Sequence, residues 1–137
     1  MSEKFSLHPR LVEDTLPVLE LELSTALLKD DSRWPWLILV PRVAKLREMH
    51  HLPHSQRSQL MEEMALASRV LESVCMAGKI NVGALGNHVP QLHVHVVARH
   101  AGDPAWPGPV WGFGEPVPYI KSEGDELVRQ MADAFRE

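Results

Sequence analysis

The chain has a single cysteine, Cys75, among its 137 residues, so no disulfide can form within it. One unpaired thiol is typical of a reducing compartment, and we expect a cytoplasmic protein in which Cys75 is a small buried apolar residue. No apolar run approaches the about 20 residues that cross a bilayer, and residues 1–8 lack the apolar segment of a secretory signal. The sequence therefore predicts no membrane partner.

Basic residues are also scarce, because 14 Lys and Arg stand against 18 Asp and Glu, for a formal net charge of −4. Binding to nucleic acid requires clustered positive charge, so no nucleic-acid partner is expected. The length suits one domain spanning residues 1–137. Its core is expected over about residues 18–100, followed by a tail over 101–137 that contains a Trp- and Pro-rich loop and a C-terminal helix.

Apolar periodicity predicts an α+β fold with a mainly antiparallel sheet of about five strands, one long helix and a shorter C-terminal helix. Ser55 is the expected N-cap of the long helix, and Gly78 is the expected left-handed residue after its end. The strands are predicted within residues 18–29, 36–40, 80–82 and 92–98, and the helices over 55–77 and 124–136.

The most informative segment reads Gln91-Leu92-His93-Val94-His95-Val96-Val97. On a strand, alternate side chains share one face, so Gln91, His93 and His95 are expected together, opposite an apolar face that packs on the core. Imidazole suits proton transfer and nucleophilic attack near neutral pH. The preceding loop, with Gly86, Asn87 and His88, is able to present backbone N–H groups to an anion.

This segment resembles the His-φ-His-φ-His-φ-φ pattern (φ, apolar) of the histidine triad (HIT) superfamily. The resemblance extends to an apolar strand that ends in Pro41-Arg42, to the long helix after it, and to the strand Ile80-Asn81-Val82. It covers roughly residues 18–100, and the tail at Pro104-Ala105-Trp106-Pro107 is similar to that of some members.

The resemblance implies a nucleotide hydrolase or transferase that needs no cofactor. His93 would be the nucleophile that attacks the α-phosphorus of a nucleoside phosphoramidate or a (di)nucleoside polyphosphate, forming a covalent nucleotidyl-histidine. His95 would contact the phosphate and help to protonate the leaving group. Asn81 would contact the phosphate or the leaving group, and the N–H of Gly86 would face a phosphate oxygen.

Further contacts implied by the resemblance are to the nucleoside and to the phosphate. Asp30 is the best match for a residue that binds the ribose hydroxyls, and Leu28 is expected in the base pocket. His88 stands where the family often has Ser or Thr, and a phosphate contact is slightly favoured for it. The family also implies a homodimer that binds a small nucleotide.

Two positions depart from the family pattern, because Gln91 replaces the first histidine and Trp36 replaces a histidine near the end of the apolar strand. Glutamine is able to orient a neighbour but not to titrate. We expect Gln91 and Trp36 to form one supporting shell for the other two histidines. Trp106 and Trp111 either stack on a ligand or anchor their loop on the core, and anchoring is favoured.

Two other functions stay open at this point. A nucleotide-binding module that has lost catalysis would explain the changes at Gln91 and Trp36. A metalloprotein would use His93 and His95 as ligands. Zinc requires three or four ligands, and no third one with motif-like spacing is obvious, although His88 is near.

Overall fold

The computed structural model describes residues 4–137, in which five strands form one antiparallel sheet in the order β1-β2-β3-β5-β4. The α+β class and the strand number predicted from the sequence are confirmed. In chain order the elements are α1 (Pro9–Glu13), β1 (Thr15–Glu20), β2 (Ser24–Lys29), β3 (Trp36–Pro41), a 3₁₀ turn (Met49–His51), α2 (His54–Cys75), β4 (Lys79–Gly83), β5 (Val94–Arg99) and α3 (Lys121–Phe135).

One face of the sheet packs against α2 and α3. The apolar stripe of α2 at Leu60, Ala67 and Leu71 is buried there, as its helical spacing predicts. From the sheet, the alternate residues of the histidine segment, Leu92 and Val94 among them, point into the same core. This leaves His93 and His95 on the opposite face.

The opposite face carries a second apolar cluster, which includes the buried Trp34, Trp36 and Val97. Phe5 and Leu7 from the N-terminal segment pack against it. The Pro-rich loop contributes the buried Val110 and the partly buried Ala105 and Trp111 to the same cluster. The N-terminal segment and the loop therefore pack on the sheet face that carries the two histidines.

The ends of α2 differ from the expectation. The helix begins at His54 with Pro53 in the N-cap position, so Ser55 is already inside the helix and does not cap it. After Cys75 the left-handed residue is Met76, with φ 56°, and not Gly78. The N–H of Gly78 instead donates to Arg99 O at 3.0 Å, because the chain is by then running alongside β5.

Arg99, which is 1% exposed at the end of β5, anchors the Pro-rich loop. Its guanidinium donates to both carboxylate oxygens of Asp103, at 2.7 and 2.9 Å, and to Oδ1 of Asn81 at 2.8 Å. It also lies 5.5 Å from the centre of the Trp106 ring. Trp106 is 40% exposed, and its contact with Arg99 links it to the end of β5. Within residues 4–137, no helix combines the length and the apolar character that a membrane crossing requires.

Candidate active site

His93 and His95 lie side by side, with ring centroids 5.0 Å apart. Hydrogen bonding of β5 begins at Val94, so His93 immediately precedes the strand and His95 is its second residue. Both side chains line one cavity of about 390 Å³. The predicted pairing of the two imidazoles at a hollow is therefore present.

The cavity has three kinds of wall. Aromatic residues, residues of the loop before β5, and charged residues at or just after the end of β2 line it. The residues that line it besides the two histidines include Lys29, Asp31, Arg33, Trp36, Gly86, Asn87, His88, Val110, Trp111 and Phe113. Its volume falls within the range of small-molecule sites.

His93 has a defined tautomer. Its Nδ1 lies 2.7 Å from the backbone carbonyl oxygen of Gln91. A carbonyl only accepts hydrogen bonds, so Nδ1 of His93 carries the proton and donates. In a neutral ring the lone pair is then on Nε2, and no residue between 4 and 137 donates to that atom. Nε2 is the nitrogen available for nucleophilic attack.

His95 has the opposite tautomer. The indole Nε1–H of Trp36 donates to Nδ1 of His95 at 2.9 Å, so the proton of a neutral His95 is on Nε2. Burial, the neighbouring His93 and the charge of Lys29 lower the pKa of His95 to about 3. His95 is therefore a neutral N–H donor at physiological pH.

The loop before β5 offers backbone donors at the cavity. Within the described part of the chain, the N–H groups of Gly86, Asn87 and His88 form no hydrogen bond. Gly86 has a φ of +69°, a conformation that a side chain would strain. Successive free N–H groups around a glycine are a common arrangement for binding anions.

Gln91 does not face the cavity, which corrects the prediction that it shares a face with the two histidines. Because it lies three residues before β5, it does not follow the alternation of that strand. Its amide donates to Ser6 O and accepts from the N–H of His8, both at 2.9 Å. Gln91 and Trp36 thus have separate roles and form no common shell.

Three other predicted residues are not among those that line the cavity. Leu28 is fully buried on the helix-facing side of the sheet, so its predicted place in a base pocket is corrected. Asp30 accepts from the N–H of Tyr119 at 2.8 Å. Asn81 is on the same sheet face as His95, but its amide oxygen is bound by Arg99.

Sequence reasoning missed Lys29, Asp31, Arg33 and Phe113, which all line the cavity. Asp31 is one position from the predicted Asp30, and its carboxylate binds the guanidinium of Arg33 at 2.9 and 2.8 Å. Burial raises the pKa of Asp31, but hydrogen bonds from Arg33 and Val117 outweigh it and lower that pKa below its usual value.

Trp111 also lines the cavity, 6.0 Å from His95 between ring centroids, and it packs against the second apolar cluster. It therefore both contacts the site and anchors its loop. Among residues 4–137 no group of three or more His, Cys, Asp or Glu side chains is placed to hold a metal ion. The described region thus supplies no third ligand for the metalloprotein alternative.

Comparison with known proteins identifies the family. Residues 10–102 match the HIT domain. The chain therefore belongs to the HIT family. Members of the HIT superfamily are typically nucleotide hydrolases or transferases.

Three solved HIT structures are similar over nearly their whole length. A histidine triad protein from Sinorhizobium meliloti is 45% identical with a TM-score of 0.93, covering 95% of this chain and 96% of that one. One from Bradyrhizobium japonicum is 42% identical with a TM-score of 0.94, covering 97% and 99%. One from Marinobacter aquaeolei is 43% identical with a TM-score of 0.95, covering 98% of each chain. A comparison with curated proteins gives no match.

Proposed function

We propose that this HIT protein binds a nucleotide in the cavity and cleaves it at the α-phosphorus through a covalent nucleotidyl-His93 intermediate. The observation that carries the proposal is the hydrogen bond from Nδ1 of His93 to the carbonyl oxygen of Gln91, 2.7 Å long. It fixes the ring so that the nucleophilic lone pair lies on Nε2 without rearrangement. A nucleophile that is oriented before the substrate binds does not incur the entropic cost of becoming oriented in the transition state.

The reaction has two displacements at phosphorus. Nε2 of His93 forms a bond to the α-phosphorus, and the bond from phosphorus to the leaving group breaks with its electron pair going to the leaving group. Water then attacks phosphorus, the bond to Nε2 breaks, and the lone pair returns to His93. The second step releases a nucleoside monophosphate and a proton.

Several groups around His93 suit the charge of the transition state. The N–H groups of Gly86, Asn87 and His88 and the Nε2–H of His95 are donors for the non-bridging oxygens. Lys29 lines the same cavity and adds a positive charge to it. Arg33 also lines the cavity, but its charge is balanced by Asp31. Trp111 and Phe113 offer aromatic surface to a nucleobase.

Turnover assays with His93→Ala test the proposal. Wild type is expected to release a leaving group from an adenosine or guanosine 5′-monophosphate derivative, and His93→Ala is expected to lose that activity while keeping its fold by circular dichroism. His54→Ala, at an exposed histidine on α2, is the matched control and is expected to act like wild type. Nucleotide binding without turnover by wild type would support the binding module instead.

We also propose a homodimer formed along β4. This strand is an edge of the sheet, and an unpaired edge is a template for pairing with another chain. Val82 on β4 and Leu85 beyond it are large apolar side chains that are 44% and 51% exposed. Light scattering with a Val82→Lys variant tests this, since the charge is expected to shift the protein toward the monomer.

A further inference from the structure

The hydrogen bond between Trp36 and His95 bears on the choice of leaving group, and its catalytic consequence rests on the proposed function. Trp36 lies on β3, opposite Val97 of β5, so its indole reaches diagonally to His95 on the same face. Indole nitrogen is a donor only and never accepts a proton. Nδ1 of His95 is therefore unable to take up a proton while this hydrogen bond exists.

A neutral His95 is not a usable acid. Its one proton is on Nε2, and giving it away would leave an imidazolate, a very strong base. A histidine acts as a general acid only when both nitrogens are protonated, and the Trp36 bond opposes that state. His95 is thus able to donate a hydrogen bond to a phosphate oxygen but not to hand over its proton.

Two other groups on the cavity are candidates for this acid, the ammonium of Lys29 and the imidazole of His88. Asp31 is ionised and bound to Arg33, and the guanidinium of Arg33 does not release a proton at physiological pH. His93 is used as the nucleophile. His88, an exposed residue on the loop before β5, is the remaining imidazole that lines the cavity.

Leaving groups differ in whether they need an acid. When the bond from phosphorus to a bridging anhydride oxygen breaks, that oxygen takes the electron pair and leaves as a stable phosphate oxyanion without a proton. When a phosphorus–nitrogen bond to an alkylamine breaks, the nitrogen must be protonated, because an amide anion is far too basic to leave.

We propose that the Trp36–His95 hydrogen bond selects nucleotides whose leaving group departs as a stable oxyanion, as in nucleoside or dinucleoside polyphosphates, over phosphoramidates of alkylamines. Trp36 acts here as a specificity-determining residue through His95. The Trp36–His95 hydrogen bond does not change the attack of His93 on phosphorus. It makes the breaking of the bond from phosphorus to the leaving group depend on whether that group requires a proton.

The test uses one nucleotide with two leaving groups, adenosine 5′-(4-nitrophenyl phosphate) and the alkylphosphoramidate of adenosine 5′-monophosphate. The measured quantity is the ratio of kcat/KM for the ester to that for the amide. In Trp36→His, an imidazole partner accepts from Nδ1 of His95 and allows the doubly protonated ring. The ratio is expected to fall by about 100-fold, which is the lower end of what a positioned general acid contributes.

Three control variants separate this effect from general damage and from the two other candidate acids. Trp34→Phe removes a buried indole that packs against Trp36, with 6.3 Å between the ring centroids, and the ratio is expected to stay at the wild-type value. His88→Ala and Lys29→Gln test the two other candidate acids, and the ratio is expected to stay unchanged even where kcat/KM falls for both compounds. A ratio that stays at the wild-type value in Trp36→His, or that changes in His88→Ala or Lys29→Gln, would overturn the proposal.

Nitrogen NMR of wild type supplies a second readout that does not depend on folding of any variant. It is expected to show Nδ1 of His95 as an unprotonated acceptor and Nε2 as protonated. A protonated Nδ1, or equal kcat/KM for ester and amide in wild type, would overturn the inference and leave the proposed function standing. If wild type cleaves neither compound, or cleaves both without His93, the proposed function itself is wrong.

Discussion

The side chains of His93 and His95 lie 5.0 Å apart between ring centroids, yet their neighbours hold them in opposite tautomers. The backbone carbonyl of Gln91 accepts a hydrogen bond from Nδ1–H of His93, whereas the indole N–H of Trp36 donates a hydrogen bond to Nδ1 of His95. Two residues of the same type thus acquire different chemistry, one with a free lone pair and one with a free N–H. Substitutions around the two rings are therefore expected to affect stability and catalysis separately.

The side chain of Gln91 is expected to contribute to stability rather than to catalysis. Gln91→Ala removes its hydrogen bonds to Ser6 and His8 but keeps the carbonyl that orients His93. The free energy of unfolding is expected to fall by about 1–3 kcal/mol for the two bonds, while kcat stays within a few-fold of wild type. Urea unfolding and steady-state kinetics measure the two effects.

The control for this variant is Gln130→Ala, at an exposed glutamine on α3, where neither quantity is expected to change appreciably. A large loss of kcat in Gln91→Ala at unchanged stability would mean that the amide itself takes part in the reaction.

Gly83 is expected to be required for the position of Trp111. A Cβ at this residue would lie 2.9 Å from Cζ2 and Cη2 of the Trp111 ring, so Gly83→Ala must displace that ring from the cavity wall beside His95. We expect KM for nucleotide to rise several-fold. Gly78→Ala is the matched control, because its Cβ would have no neighbour nearer than 3.8 Å. Equal KM values in the two variants would rule out this role for Gly83.

The ion pair of Arg99 and Asp103 is expected to hold the Pro-rich loop, and hence Trp111, in place. Asp103→Asn leaves the 1% exposed Arg99 without a countercharge, which is expected to lower the free energy of unfolding by about 3–5 kcal/mol. Asp133→Asn breaks an exposed pair with Arg129, which solvent screens, and is expected to change the free energy of unfolding little. Similar losses in the two variants, measured by urea unfolding, would contradict this account.

The stability of the protein is expected to fall on acidification because of His95. Burial first, then His93 and Lys29, lower the pKa of His95 to about 3 in the folded state, against about 6.5 in the unfolded chain. Between these values only the unfolded chain takes up the proton, so the free energy of unfolding falls as pH decreases from about 6.5. The contribution is up to about 1.4 kcal/mol per pH unit.

Urea unfolding between about pH 7 and pH 5 measures this dependence. His95→Gln keeps an acceptor for Trp36 but does not titrate, so its stability is expected to depend less steeply on pH than that of wild type. His54→Gln, at an exposed histidine, is expected to retain the wild-type slope. If the free energy of unfolding depends on pH with the same slope in wild type, His95→Gln and His54→Gln, His95 is not buried in its neutral form.

The elements of the fold were predictable because their signals are local. The stripe through Leu60, Ala67 and Leu71 has helical spacing, and the alternation of His93 and His95 with valines sets their common face. The helix ends were less predictable, since Met76 takes the left-handed conformation although Gly78 is only two residues away.

The contacts that define the chemistry were not predictable, because they join distant parts of the chain. Trp36 and His95 are 59 residues apart, and Gln91 binds Ser6 across 85 residues. A shift of one residue decides whether Asp30 or Asp31 reaches the cavity, and whether Leu28 faces the helices or the site. Patterns of residue types do not place a strand accurately enough to detect a shift of one residue.

The central claim is that Nε2 of His93 becomes bonded to phosphorus, and acid-free rapid quenching followed by mass spectrometry tests it most directly. During turnover of an adenosine 5′-monophosphate ester, the peptide that contains His93 is expected to gain one adenylyl group. The same peptide from His93→Ala is expected to carry none. Turnover that proceeds without any adduct on the wild-type peptide, and at equal rate in His93→Ala, would contradict the account.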